Sequence, residues 1–381
     1  MKNIILCLAT LFTITSNLSC QTMRNDIKQI DQILQKEIDK GNTPSLVYYL
    51  FNKDSILKKV ELGYSDLSKN IQANENTFYK AFSATKTFTA IAILQLAEQG
   101  KLNIDDPIIK HLPSFMFGDQ ITIRQVLSHS AGIPNPIPLN WIHTTEEHSE
   151  FDRDKFFAPI FKKHSKAKYL PNQKFMYSNL GYFLLGQLIE NVTGLKYENY
   201  IEQNITHKLG LDSIVIDFKV NSHNAVGYNK RFGFANLFIG WFIDKSKYME
   251  QSIGKWKPFT YFYPNGASYA GLIGTPNSFV VYLQALLKDN SILLSNDYKQ
   301  QMLTENKNSK GKPTGMCLGW FTDELNGIHY FAHPGGAGGY YCELRIYPER
   351  GIGSVVFFNR TGMSNEKFLD KIDKYYFENI D

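Results

Sequence analysis

A chain of 381 residues, 43% hydrophobic and 20% charged, describes a globular protein with one large domain or two ordinary ones around a substantial core. Its net charge of +5 is modest for that length, and no Lys/Arg block with interleaved aromatics occurs, which removes support for nucleic-acid binding. The 27 Phe and 22 Tyr suit aromatic-rich cores and clefts but name no ligand.

Residues 1–20 have the build of a secretory signal peptide: a positive start at Met1-Lys2-Asn3, a mostly apolar run from Ile4 to Thr13, then small polar residues up to Cys20. The run is too short and too weakly apolar for a good membrane span. Leu18-Ser19-Cys20 resembles the end of a lipoprotein processing box, although Asn17 departs from the usual aliphatic residue. The expectation is export to the cell envelope with Cys20 lipidated and tethered to the membrane, plain secretion being the alternative. Residues 21–26 then serve as a linker and residues 27–381 as the folded domain. Cys317 and Cys342 are expected to be two buried free thiols rather than a disulfide.

Ile27, Ile30, Leu34 and Ile38 recur at helical spacing before Gly41. Two strand-like segments follow, Ser45 to Phe51 and Ile56 to Tyr64, joined by a turn at Asn52-Lys53-Asp54. Phe82-Ser83-Ala84-Thr85-Lys86 then leads into the apolar helical run Phe88 to Ala97. Ile121 to His129 reads as a short helix with Thr122 near its start, running into a loop dense in Gly and Pro up to Pro136. Tyr177-Ser178-Asn179 opens a helix from Leu180 to Thr193, which Gly194 caps. Residues 232–243 are strongly apolar, and helical core is preferred there over a pocket lid or a surface dipping toward lipid.

The last hundred residues return to strands: Gly315 to Phe321, Gly327 to Ala332, Tyr340 to Tyr347 and Gly353 to Asn359. An amphipathic helix, Asn365 to Ile380, closes the chain, with Phe368, Ile372, Tyr376 and Ile380 on one side. The predicted fold is α+β: an antiparallel sheet flanked by N- and C-terminal helices, with a large, mostly helical inserted lobe. The sheet lobe takes about residues 27–82 and 265–381, and the helical lobe about 83–264. The contact between lobes is a natural place for a cleft.

Three pieces carry chemistry. Ser83 and Lys86 lie one helical turn apart, and a desolvated lysine beside a serine can help remove its proton. Taken alone, the same residues make an ordinary helix cap and a solvated lysine. Tyr177 at a loop-to-helix junction is a candidate general base if a cation such as Lys86 lowers its pKa, and Asn179 can donate its amide to a substrate carbonyl. His333-Pro334-Gly335-Gly336 follows a strand: His333 is a candidate for binding a substrate carboxylate or tuning Tyr177, Gly335 lets backbone approach a substrate, and the N–H groups of Gly336 and Ser83 suit an oxyanion hole. His143 and His148 are not at metal-pair spacing and no H-E-x-x-H occurs, so no metal site is assigned. The absence of a G-x-S-x-G elbow argues against a Ser-His-Asp hydrolase.

Together, S-x-x-K at Ser83, Y-S-N at Tyr177 and H-x-G at His333 resemble the class C-type serine β-lactamase and penicillin-binding protein family, which also holds D,D-peptidases, D-amino-acid peptidases and esterases. The resemblance covers most of residues 40–360, including Leu318-Gly319-Trp320 and Val355-Val356-Phe357-Phe358-Asn359. It implies a β-lactamase/transpeptidase-like sheet with a helical lobe, an acyl-enzyme on Ser83, a small-molecule or peptide substrate and no cofactor. A monomer is expected. The family's β-lactamases usually carry Lys where His333 stands, which points toward its peptidases and esterases. Lys312-Pro313-Thr314-Gly315 looks like the related K-T-G motif but precedes Leu318-Gly319-Trp320 and is read as a decoy. A lipid-tethered sensor that keeps the fold but acylates slowly is the non-enzymatic alternative.

Overall fold

The computed structural model describes residues 28–361 and 367–378. The expected signal peptide, Cys20 and most of the linker lie outside them. Seven strands form one antiparallel sheet: β1 (Ser45–Asn52), β2 (Ile56–Asp66), β3 (Ile71–Gln72), β4 (Phe321–Leu325), β5 (Ile328–Ala337), β6 (Tyr340–Tyr347) and β7 (Ile352–Phe358), in the spatial order β4-β5-β6-β7-β1-β2-β3. The first and last parts of the chain meet at its centre, where Val47 of β1 pairs with Phe357 of β7.

Both faces of the sheet are buried, and side-chain alternation shows how. Leu46, Tyr48 and Leu50 of β1 and Val356 and Phe358 of β7 join one core. That core is covered by helix α1 (residues 28–39), through Ile30 and Leu34, and by the C-terminal segment, through Phe368 in a turn and Ile372 and Phe377 in the helix that follows. Val47, Tyr49, Phe51, Val355 and Phe357 face the other way, into the larger core that holds the remaining helices.

At the middle of that larger core is α2 (Thr85–Glu98). All its residues except Glu98 are buried, as an apolar helix without a polar face requires. Among the later helices are α3 (Asn179–Thr193), α4 (Pro276–Leu287) and α5 (Asp370–Phe377). Ser178 caps α3 by accepting from Gly181 N–H at 3.0 Å, and Gly194, at φ +71°, ends it in the left-handed conformation the sequence suggests. α4 starts at a Thr275 cap with Pro at its first position and packs Phe279 on Phe357 of β7, ring centroids 5.1 Å apart. This is the α+β sheet-and-helix architecture anticipated from the sequence.

Three local expectations are corrected. The strand placed at 315–321 lies at Phe321–Leu325 instead. The strand expected to stop at Ala332 continues through His333, Pro334, Gly335 and Gly336 to Ala337, because that segment pairs with β6 (Gly335 opposite Cys342, Gly336 opposite Tyr341). The residues 232–243 expected in the core form only a five-residue helix, Phe234–Phe238, and a following turn, Ile239–Trp241; Phe232, Phe234, Leu237 and Trp241 are exposed. Asn365 and Ile380 of the expected closing helix lie outside the described residues, and its described part runs from Asp370 to Phe377. Cys317 and Cys342 are free and buried.

Candidate active site

Ser83 sits in a single 3-10 turn, Phe82–Ala84, that feeds directly into α2. Phe82 has φ +43°, a left-handed conformation that costs a non-glycine residue on the order of 1–3 kcal/mol. Its ring packs against Phe262 and Tyr340, with centroids 6.3 and 6.1 Å away, which holds the turn in place. Ser83 is partly buried. Lys86, one turn on, donates to Ser83 Oγ at 3.2 Å and to the Tyr269 carbonyl at 2.9 Å.

The surroundings of Lys86 decide its charge. The side chain is fully buried, and burial pulls its pKa well below the ordinary lysine value. The rings of Tyr177, Tyr182 and Tyr269 stand 4.9, 5.6 and 5.7 Å from Nζ and return part of the lost cation stabilisation. Burial thus disfavours the ammonium form.

Two polar contacts beside that lysine fasten α2 to the short helix Ala267–Ala270 and the residues that follow it. Thr85 Oγ1 accepts from Leu272 N–H at 3.1 Å, and Thr89 Oγ1 donates to the Ser268 carbonyl at 2.6 Å. Behind Lys86, Gly319 of the Leu318-Gly319-Trp320 landmark has φ +81°, and a Cβ there would stand 2.6 Å from Ala90 Cβ.

Tyr177 is brought to this lysine by the loop that opens α3. Its ring lies 4.4 Å from that of His129, 6.4 Å from that of Phe321 in a stacked arrangement, and 6.4 Å from that of His333. Asn179, the first residue of α3, is buried; its N–H donates to Asn135 Oδ1 at 3.0 Å, while its own Oδ1 has no partner among the described residues. Ser178 between them is committed to structure, donating its hydroxyl to the Pro134 carbonyl at 2.9 Å as well as capping the helix.

His129 is the residue that the sequence reading missed. It has φ +52°, its carbonyl accepts from Met176 N–H at 2.7 Å, and its Nδ1 accepts from Ser178 N–H at 3.1 Å. It therefore grips the backbone on both sides of Tyr177. A ring nitrogen that accepts must be unprotonated, which agrees with a pKa held well below the ordinary value by burial, then by Lys86 and His333.

His333 is also buried, with its pKa pushed down to about 3 by burial and then by the charge of Lys86. Its Nδ1 lies 2.7 Å from the Pro334 carbonyl, so Nδ1 carries the hydrogen and Nε2 is left as a buried acceptor without a partner among the described residues. His333 is thus held as a neutral imidazole with a buried acceptor nitrogen.

Gly335 lies where β5 crosses the Ser83 turn. A Cβ on it would stand 2.0 Å from the Ala81 carbonyl oxygen, so only glycine allows this approach. Cys342, across the strand pair, donates its thiol to the same oxygen at 3.3 Å. Gly336 is roomier, with its nearest neighbour 3.4 Å from a built Cβ. β4 pairs with β5 only as far as Ala332, so residues 333–337 have β6 on one side and no main-sheet strand on the other.

The structure thus brings Ser83 and Tyr177 to Lys86 and sets His129 and His333 beside the Tyr177 ring, with Gly335 against the backbone that carries Ser83. A separate cavity of about 840 Å³, lined by His143, His148, Glu198, Asp217 and Tyr263 among others, contains none of these five side chains. Among the described residues no cluster of three or more His, Cys, Asp or Glu side chains could hold a metal ion.

Comparison with known proteins gives three findings. The model of the Beta-lactamase family matches residues 30–374. The curated relative "Protein flp" of Staphylococcus aureus (strain MRSA252) is 32% identical over 212 residues, which is 53% of this chain and 41% of that protein, so the match spans under half the relative's length. Among solved structures, the octameric penicillin-binding protein homologue from Pyrococcus abyssi superposes with a TM-score of 0.75 at 23% identity, covering 93% of this chain and 77% of that one. The D-amino acid amidase from Ochrobactrum anthropi SV3 complexed with D-phenylalanine also reaches 0.75, at 19% identity over 94% of this chain and 99% of that one. At these identities the two structures show a shared fold.

Proposed function

The chain belongs to the Beta-lactamase family, and on that premise we propose that it is a serine hydrolase that cleaves an amide or ester through a covalent acyl-enzyme on Ser83. The observation that carries this reading is the buried Lys86 amine, 3.2 Å from Ser83 Oγ with its pKa lowered. Ser83 Oγ attacks the substrate carbonyl carbon and its proton passes to the Lys86–Tyr177 pair. The two are treated as one unit sharing the proton, since Lys86 Nζ stands 4.9 Å from the Tyr177 ring. The N–H groups of Ser83 and Gly336 receive the oxyanion. Tyr177 then donates the proton to the leaving amine or alcohol as the carbonyl re-forms and the leaving-group bond breaks. Water then attacks the acyl carbon as the same pair takes its proton, and the bond from that carbon to Ser83 Oγ breaks as the pair returns the proton to Oγ, which frees the acid. Asn179 and Gly335 position the acyl portion in this scheme.

The substrate class follows from His333. A neutral acceptor favours a substrate that presents a donor, such as a peptide N–H, the amine of a D-amino-acid amide or a hydroxyl of a small ester. β-Lactam hydrolysis, in which a cation helps hold the substrate carboxylate, is the weaker reading. A slow, penicillin-binding sensor is the non-enzymatic one. Export, with a lipid on Cys20, is the accompanying proposal for where the protein works.

A fluorophosphonate probe should label the wild type and leave Ser83→Ala unlabelled, the two having matching circular dichroism. Absence of any Ser83-dependent label in a correctly folded protein would sink the proposal. Nitrocefin, a D-Ala-D-Ala peptide, a D-amino-acid amide and a short-chain p-nitrophenyl ester tested side by side then identify the acyl group.

A further inference from the structure

The arm between the paired strands Tyr228–Lys230 and Trp256–Pro258 presents its apolar residues outward. Phe232, Phe234, Leu237 and Trp241 are 81, 77, 64 and 77% exposed. Their display is built in. Phe234 and Phe238 rings stand 4.2 Å apart, Phe238 and Trp241 4.8 Å, and Ile243 and Tyr248 of the same arm are buried in the larger core. Asn236 donates to the Arg231 carbonyl at 2.7 Å and Lys245 to the Asn236 carbonyl, which hold the turn in shape. Monomeric proteins seldom leave such an aromatic cluster in water without a use for it.

The arm is rich in cations: residues 228–257 carry Lys230, Arg231, Lys245, Lys247, Lys255 and Lys257 against Asp244 and Glu250, with Lys247 paired to Glu147 at 2.5 Å and Glu37 near Lys230. Arg231 lies over the Phe232 ring at 5.1 Å, and Lys230, Lys255 and Arg360 stand near enough together to lower the pKa of Lys230 after burial has done so. Two copies meeting through this face would bring two such cationic rings together, whereas an anionic lipid surface complements both the aromatics and the charge.

We infer that this arm is a membrane-interface anchor, seating Phe232, Phe234, Leu237 and Trp241 among the headgroups of an anionic bilayer with the surrounding lysines and Arg231 on the phosphates. The inference is independent of the hydrolase reading.

Trp241 provides the test, because Trp141, Trp256 and Trp320 are all buried. The full chain carrying Cys20→Ser is mixed with vesicles of equal phosphatidylglycerol and phosphatidylcholine. The tryptophan emission should shift to the blue and the protein should sediment with the vesicles. Phe234→Ser/Leu237→Ser in the same chain should lose the shift while keeping its circular dichroism spectrum and melting temperature, and Lys230→Gln/Arg231→Gln should weaken partitioning by about 30-fold. Unchanged emission with vesicles would overturn the inference. So would a lipid-free, concentration-dependent dimer in sedimentation velocity that the Phe234→Ser/Leu237→Ser change abolishes.

Discussion

At the scale of single residues, the chemistry turns on how burial sets charge. Lys86 loses its proton more readily than a solvated lysine because desolvation penalises the ammonium form, so the rate is expected to rise with pH as the Lys86–Tyr177 pair gives up its proton. Tyr177→Phe should lower kcat by on the order of 10²–10⁴-fold with an unchanged melting temperature, in single-turnover assays against thermal melts. His333, with a pKa of about 3, is already neutral throughout that range. His333→Gln should therefore leave the rising limb in place and alter KM. The same low pKa has a stability consequence. Its value lies below the ordinary histidine 6.5, so the contribution is complete above about pH 6.5 and is lost as pH falls toward 3. Urea melts of His333→Gln should show a shallower loss of stability across that window than the wild type. The adjacency of Ser83 and Lys86 was legible because residues three apart on a helix are neighbours, but alone the pair also reads as a helix cap and a solvated lysine. Tyr177 and His333 come from distant parts of the chain, and only the ordered set of motifs put them beside Ser83. His129 was not legible: its importance rests on a left-handed backbone and a ring nitrogen bonded to Ser178 N–H, which no residue spacing announces.

At the scale of elements, the end of β5 is what sets the site against the sheet. Gly335→Ala would place a methyl group 2.0 Å from the Ala81 carbonyl oxygen. It should cost about 1–3 kcal/mol and depress turnover by displacing the Ser83 turn. Gly336→Ala, whose Cβ has 3.4 Å of room, should melt within a degree or two of the wild type. Comparable melts for the two variants would remove the argument. The sequence suggested that β5 stops before His333, since His-Pro-Gly-Gly is turn chemistry in isolation. Pairing with β6 overrides that local preference, as it commonly does in strands. The aromatic arm failed for the opposite reason. Dense apolar residues are what a core helix also needs, and local pattern does not show whether anything lies on top of them.

For the whole molecule, the sheet has a second set of buried charges on the side away from Ser83. Arg345 is fully buried with Nη2 2.5 Å from Glu343 Oε1 and Nη1 2.7 Å from Asp370 Oδ1, and Tyr347 donates to Asp373 at 2.9 Å. Removing the cation strands carboxylates in the core, so Arg345→Met should destabilise by about 3–5 kcal/mol in urea melts while kcat per folded molecule is unchanged. The broad plan was readable because residues at both ends of the chain alternate two apolar faces, whereas this network joins residues whose meeting depends on the finished sheet. One last consequence comes from the thiols. Cys317 and Cys342 are wholly enclosed and burial raises both above the ordinary thiol pKa, so a thiol reagent reaches them only when the fold opens. Because Cys342 is bonded to the Ala81 carbonyl beside the nucleophile, the speed of its alkylation is a built-in clock for how often the region around Ser83 comes apart.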